Sequence, residues 1–240
     1  MPHDYFQFKQ FRIEQADCAQ KVSTDACVLG AVADLTSATR ILDIGTGTGL
    51  LALMAAQRAL TAHIETLEIE PAAAAQAAAN VAASPWPGRI RVWPLSLADY
   101  AATRPAPFSH LICNPPFFRR SLPPPDAARA TARHAGETSL TFDEIGAFAA
   151  EFLAPGGTLT VLLPPPEMAH FVAAAAACGL VLQARLRVRH RPGGRTTREI
   201  GQFGREAGRA LRETELVIQK ESGDYSADFR ALLAGFYLAL

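Results

Sequence analysis

Along residues 5–13 aromatic and polar positions alternate, Phe6-Gln7-Phe8-Lys9-Gln10-Phe11-Arg12-Ile13, and a period of two predicts strands. The stretch to residue 22 reads as a hairpin laid across the domain, with Phe6, Phe8 and Phe11 turned inward. Ser23-Thr24-Asp25 then precedes apolar positions at Val28, Leu29, Val32 and Leu35, so a helix is expected there, capped by Thr24 or Asp25. From residue 39 the pattern becomes an alternation of short apolar runs and longer helical stretches. Strands are expected over about 39–44, 62–69, 89–94, 108–113, 158–163 and 180–190, and helices over about 48–59, 71–81, 141–153 and 167–178. Pro71 suits a first helical turn, and Pro155-Gly156-Gly157 reads as the turn leading into the strand at 158. Residues 196–204 and 214–219 read as further strands. Phe229, Leu232, Leu233, Phe236, Tyr237 and Leu240 form one helical stripe, expected to dock on the core. Alternating strands and helices build a parallel sheet whose loops collect at one edge, where ligands bind at the topological switch point.

Composition narrows the class of molecule. With 240 residues, 49% of them hydrophobic, the chain fits one α/β domain over 1–240, a hairpin and helix extension over 1–37 and an alternating strand and helix core over 38–240. Lys and Arg number 23 and Asp and Glu 23, so the formal net charge is zero. No global field recruits nucleic acid, and any RNA contact must come from local patches. Cys18, Cys27, Cys113 and Cys178 lie far apart, with neither a C-x-x-C pair nor a histidine at metal spacing, which predicts reduced thiols and no metal site. No basic leader followed by an apolar core and no run of ~20 apolar residues occurs. The expectation is a cytoplasmic protein without a membrane span, a monomer or weak homodimer.

Two motifs carry the chemistry. The apolar run Ile41-Leu42-Asp43-Ile44 ends in Gly45-Thr46-Gly47-Thr48-Gly49 and opens onto Leu50-Leu51-Ala52, which is a strand, a tight loop and a helix N-terminus. Glycines remove side chains where a ligand approaches the backbone. The dinucleotide fingerprint also follows a strand with glycines, but here the spacing is G-x-G-x-G with an acid two residues ahead. That pattern resembles motif I of class I S-adenosylmethionine-dependent methyltransferases, in which the loop packs against the methionine end of the cofactor. An acid closing the next strand suits ribose hydroxyls, since a carboxylate can accept from both. Glu68 fits that role better than Glu70, which the dipole of the following helix would favour in any case.

The second motif, Asn114-Pro115-Pro116-Phe117, follows the strand at 108–113, so it faces the glycine loop across one cleft. An exocyclic amine on a base ring is a poor nucleophile because its lone pair is delocalised. Accepting hydrogen bonds from its two N–H groups, through the Asn114 side-chain oxygen and the Pro115 carbonyl, favours a pyramidal nitrogen with its lone pair toward a donor. Two prolines stiffen the loop, and Phe117 offers a ring for a flipped base, a contact worth ~1–3 kcal/mol. Two groups use the motif: amino-methyltransferases acting on nucleobases, and enzymes that methylate glutamine in release factors.

The wider chain resembles the bacterial tRNA(Val) adenine-N6-methyltransferase family. The resemblance rests on Phe8-Lys9-Gln10-Phe11, Gln15, Cys18-Ala19, Lys21-Val22, Thr24-Asp25, Asn80, Pro85-Trp86, Tyr225-Ser226 and Phe236-Tyr237-Leu238, which covers both ends of the chain. It implies a Rossmann-like, doubly wound, seven-stranded and mostly parallel sheet with helices on both faces and an N-terminal hairpin. It also implies methylation of adenosine 37 in tRNA, or in another structured RNA, with S-adenosyl-L-methionine as donor. On that resemblance Lys21, Thr24 and Asp25 line the cofactor pocket, and Asp43, Gly45, Thr46, Gly47 and Gly49 hold the methionine end. Glu68 serves the ribose, Ser96 stands where the adenine contact is expected, Ile69 and Leu97 also line the cofactor site, and Asn114 borders both ligands. Two positions depart from the family: Ser96 stands where an Asp is usual, and Phe117 where a Tyr is usual. Phe117 keeps guanine-N2-methylation of ribosomal RNA open as an alternative, alongside glutamine methylation of a release factor. Arg119 and Arg120, in the Pro-, Ala- and Arg-rich stretch 118–137, and Arg187 and Arg189, on one face of the strand at 180–190, are the expected RNA contacts.

Overall fold

The computed structural model describes residues 4–18, 20–115, 140–206 and 210–239. Strands β1 (Tyr5–Gln7) and β2 (Arg12–Glu14) pair antiparallel with Phe6 opposite Ile13, and Phe8, Phe11 and Ile13 are buried. After helix α1 (Thr24–Val32) the chain alternates β3 (Arg40–Ile44), α2 (Leu50–Arg58), β4 (His63–Leu67), α3 (Pro71–Ala82), β5 (Ile90–Trp93), α4 (Leu97–Ala102) and β6 (Phe108–Cys113). It continues through α5 (Phe142–Phe152), β7 (Leu153–Leu163), α6 (Pro165–Ala177), β8 (Val181–Arg189), β9 (Thr196–Gly204), β10 (Arg212–Val217) and α7 (Ala227–Leu233). Local signals explain several helix starts. Thr141 and Glu144 make a reciprocal capping box at α5, and prolines occupy the first positions of α3 and α6.

One sheet, in the order β10-β8-β9-β7-β6-β3-β4-β5, organises these elements, and only β9 runs antiparallel to its neighbours. Side chains alternate between its faces. Ile41, Ile64, Ile112 and Leu162 join α1, α2 and α7 in one core, while Leu42, Ile44, Leu111 and Val161 join α4, α5 and α6 in the other. From β3 the chain winds outward through β4 and β5, then crosses back to place β6 on the other side of β3. The strand order therefore reverses beside the C-terminal end of β3, which opens a crevice there.

Four sequence expectations change. The sheet has eight strands rather than seven, because β10 adds a parallel edge to β8. Ser23, not Thr24 or Asp25, caps α1, its hydroxyl accepting from the Ala26 N–H at 3.2 Å. Pro155-Gly156-Gly157 lies within β7 rather than before it: Leu153 pairs with Phe108 and Thr158 with His110, and the surplus residues bulge at Gly156, whose φ is +72°. The last helix stops at Leu233, and Phe236 and Tyr237 reach the core from a turn. Leu240 lies outside the described residues.

The hairpin is fastened to the sheet by one buried side chain. Asn80 of α3 accepts from the Glu14 N–H at 2.9 Å and donates to the Glu14 carbonyl at 2.8 Å and the Thr48 carbonyl at 2.9 Å. It thereby joins β2 to the loop that precedes α2. The chain ends close over the same region, with the Lys9 N–H donating to the Phe236 carbonyl at 2.8 Å and Tyr237 bridging Phe8.

Replacing Asn80 with Ala leaves three backbone groups, the Glu14 N–H and carbonyl and the buried Thr48 carbonyl, without their partner. It is expected to lower stability by about 2 kcal/mol, read as a lower urea midpoint, and an unchanged midpoint would show that this clamp carries no stability.

Candidate active site

The glycine loop is built from β3 outward. Gly45, Gly47 and Gly49 take φ values of +73°, +56° and +84°, a region that side chains with a Cβ enter at a cost. The Gly45 and Thr46 N–H groups both donate to the Leu67 carbonyl, at 3.0 and 2.9 Å. The Gly47 N–H donates to Glu68 Oε2 at 2.8 Å, and Gly49 to the Thr46 carbonyl at 3.0 Å. These donors are satisfied inside the protein, and a carboxylate stands among them. A dinucleotide loop would instead offer its N–H groups to a pyrophosphate, so the bonding pattern excludes that reading.

Asp43 lies beneath this loop, fully buried. Gly49 has no side chain with which to cap α2, and Asp43 takes its place, its carboxylate stabilised by the Ala52 N–H of the first turn and accepting from the Thr46 hydroxyl at 2.5 Å. Oδ1 has no hydrogen-bond partner. Burial is the dominant influence and pushes the Asp43 carboxyl up to about 7, helped by the nearby Glu68 charge and opposed by its two donors.

At the C-terminal ends of β3, β4, β5 and β6 a cavity of about 360 Å³ opens, walled by Gly45 and Gly47, Glu68 and Ile69, Ser96 and Leu97, and Asn114. A Cβ added at Gly45 or Gly47 would meet no protein atom within 4 Å, so these glycines border open space. The cavity's polar centre is Glu68, whose Oε1 also accepts from the Glu70 N–H at 3.0 Å. Its apolar end is formed by Ile69, Leu95, Leu97 and Ala98. A polar middle between a glycine wall and an apolar slot fits an adenosyl group, with the ribose at Glu68, the base in the slot and the methionine end toward Gly45. The slot is held from below. Glu65 of β4 accepts from Trp93 Nε1 at 2.8 Å and from the Tyr100 hydroxyl at 2.5 Å, and also pairs with Arg40. That fixes β5 and α4 on either side of Ser96.

Seven of the residues expected from sequence therefore share one wall, while others fall elsewhere. Asp43, Thr46 and Gly49 shape the loop from beneath instead of lining the cavity. Lys21, Thr24 and Asp25 are not on its wall: Asp25 pairs with Arg198 of β9 at 2.9 Å, Thr24 is hydrogen-bonded to Tyr237, and Lys21 is exposed. Pro115 is buried and does not line the cavity, and Pro116, Phe117, Arg119 and Arg120 lie outside the described residues, as does the stretch 118–137. The arginine face of β8 is neutralised in place. Arg187 pairs with Glu213 at 2.7 Å and Arg189 with Glu215 at 2.9 Å, both across the β8–β10 ladder, and Arg185 lies 3.5 Å from Glu199. The expected cationic stripe is thus an ion-pair network within the sheet. Sequence reasoning missed Cys18, Gln20, Leu140 and Glu144 on the cavity wall. The capping box at 141–144 marked a helix start, but no local signal aimed Glu144 at a ligand. Among the described residues no His, Cys, Asp and Glu cluster could hold a metal, and no helix is long and apolar enough to cross a membrane.

Residues 18–170 match the methyltransferase small domain family. The tRNA1(Val) (adenine(37)-N6)-methyltransferase of Bacteroides thetaiotaomicron is 41% identical over 241 residues, covering 100% of both chains. The protein of the same name from Pseudoalteromonas translucida is 39% identical and covers 98% of this chain and 99% of its own. Among solved structures, one described as a predicted O-methyltransferase from Agrobacterium tumefaciens superposes with a TM-score of 0.65 at 23% identity, over 88% of this chain and 96% of that one. The ribosomal protein L11 methylase of Lactobacillus delbrueckii gives 0.56 at 16% identity, over 81% and 84%. These structural likenesses speak for the fold.

Two measurements test the loop. Asp43 holds its proton more tightly folded than unfolded, so its ionisation costs stability as pH rises from near 3.8 to about 7. Over that window the wild type is expected to lose stability relative to Asp43→Asn, by up to ~1.4 kcal/mol per pH unit; parallel denaturation curves would refute the assignment. Gly47→Ala places a Cβ at φ +56°, a strain of ~1–2 kcal/mol. Calorimetry with S-adenosylhomocysteine is expected to show about tenfold weaker binding.

Proposed function

This chain belongs to the small-domain methyltransferases and, within them, to the tRNA1(Val) (adenine(37)-N6)-methyltransferase family, and from that premise we propose that it methylates the exocyclic N6 of adenosine 37 in tRNA(Val). The observation that carries this reading is the placement of Asn114 at the end of β6, on the wall of the same cavity as Gly45, Gly47 and Glu68. Donor and acceptor subsites then share one space.

S-adenosylmethionine supplies an electrophilic methyl group on a sulfonium whose departure leaves a neutral thioether. The chain's own residues do the rest by alignment. The Asn114 side-chain oxygen and the Pro115 carbonyl accept from the two N–H groups of the target amine and turn its lone pair toward the methyl. Because the leaving group is already activated, this positioning supplies most of the acceleration, and the methylated amine loses its surplus proton to solvent water after transfer. Phe117 supplies the stacking surface for the flipped base. Glu68 takes the ribose hydroxyls of the donor, and its tie to the Gly47 N–H holds the loop in the shape that receives the methionine end.

With tRNA(Val) and labelled donor, nuclease digestion and mass spectrometry are expected to return N6-methyladenosine from position 37. Asn114→Ala is expected to lower turnover by about 100-fold or more, comparable to removing one preorganised hydrogen-bonding group, with cofactor affinity changed less than about threefold. Methyl recovered on guanine, or on a release-factor glutamine, would replace this substrate assignment. Full turnover in the variant would remove Asn114 from the mechanism.

A further inference from the structure

The apolar slot beyond Glu68 needs a group that reads the edge of a purine. Ile69 projects into it and is 49% exposed, as a hydrophobic side chain is where a ring covers it once bound. The three strands β3, β4 and β5 lie side by side, so a ligand whose middle sits at Glu68 and whose charged end faces Gly45 carries its base toward Ser96 and Leu97. The polar side chain nearest to hand there is Ser96, but its hydroxyl is already committed. It donates to Asp99 Oδ2 at 2.6 Å and accepts from the Asp99 N–H at 3.0 Å, capping α4.

Across the slot, Glu144 reaches the same wall from the first turn of α5, which packs on α4. Its Oε2 accepts from the Thr141 N–H at 2.7 Å and from the Thr141 hydroxyl at 2.8 Å, while its own N–H donates to the Thr141 hydroxyl oxygen at 3.2 Å to close the capping box. Among the described residues Oε1 has no hydrogen-bond partner. The box therefore fixes the carboxylate through Oε2 and, among the described residues, leaves its second oxygen without a partner at the cavity wall. We propose that Glu144 is the specificity-determining residue for the cofactor's base, its carboxylate accepting a hydrogen bond from the adenine amine. This inference rests on the reading of the cavity as the seat of S-adenosylmethionine. A carboxylate only accepts, so it favours a purine that presents N–H at that edge and repels one that presents a carbonyl.

The test compares two ligands that differ at that edge, S-adenosylhomocysteine and S-inosylhomocysteine, in which a carbonyl replaces the amine and the only N–H donor moves to the adjoining ring nitrogen. Calorimetry on the whole protein is expected to show the wild type preferring the amine by at least about tenfold. Glu144→Gln, whose amide can donate to the carbonyl, is expected to bring the two ligands close to parity or to invert the order. Thr141→Ala breaks the helix cap from the other side while keeping the carboxylate, and it is expected to retain the wild-type preference. The proposal is overturned if Glu144→Gln weakens both ligands equally, if it keeps the wild-type ratio, or if Thr141→Ala shifts the ratio as far as Glu144→Gln does. Failure of the wild type to bind either ligand would instead overturn the cofactor reading, and this inference with it.

Discussion

The hydrogen bonds that tie the loop 45–47 to the end of β4 are the constraint on which the site depends. Two N–H groups go to the Leu67 carbonyl and a third to the Glu68 carboxylate. Because β3 and β4 are neighbours in register, with Ile44 opposite Leu67, the loop leaving one strand must fold across the end of the other. Positive φ at Gly45 and Gly47 is the geometric condition for that fold. Its electrostatic consequence is a site whose centre is a carboxylate and whose backbone donors are already satisfied, suited to a nucleoside and unsuited to a phosphate chain.

Beneath that loop the structure tolerates an expensive arrangement. Asp43 is fully buried with one oxygen unpartnered, yet it supplies the cap that Gly49 cannot. A loop that needs glycine at the helix entrance has no side chain there, and an acid from the preceding strand is the nearest substitute. The two requirements explain why an acid and three glycines occur together at this spacing. Asn80 and the closing chain termini add a second layer: through the Thr48 carbonyl, α3 and β2 brace the far side of the same loop.

The sheet edge shows how charge pattern and charge function diverge. Alternating arginines along residues 185–189 read as a cationic stripe when only their own strand is in view. Glu199 on β9 and Glu213 and Glu215 on β10 come from segments that sequence spacing does not connect to β8, and pairing brings them opposite. A strand's charge is thus settled by its neighbours in the sheet. Asp25 follows the same rule, since its partner Arg198 lies far along the chain.

Local periodicity and local sterics made most of the architecture legible in the chain, though not every cap, turn and helix end. The alternation of strands and helices, the glycine loop with its acid, Glu68 at the end of the second core strand and Asn114 at the end of the strand beside β3 all follow from spacing of two or 3.6 residues and from backbone freedom at glycine and proline. Tertiary structure alone decided which polar groups are spent on one another: Ser96 on Asp99, Asp25 on Arg198, Arg187 on Glu213. It also decided which reach the cavity from distant segments, as Cys18, Gln20 and Glu144 do. The physical reason is range. Dihedral preferences and amphipathic period act over a few residues, whereas a hydrogen bond or an ion pair depends on a partner that only the closed sheet brings within about 3 Å.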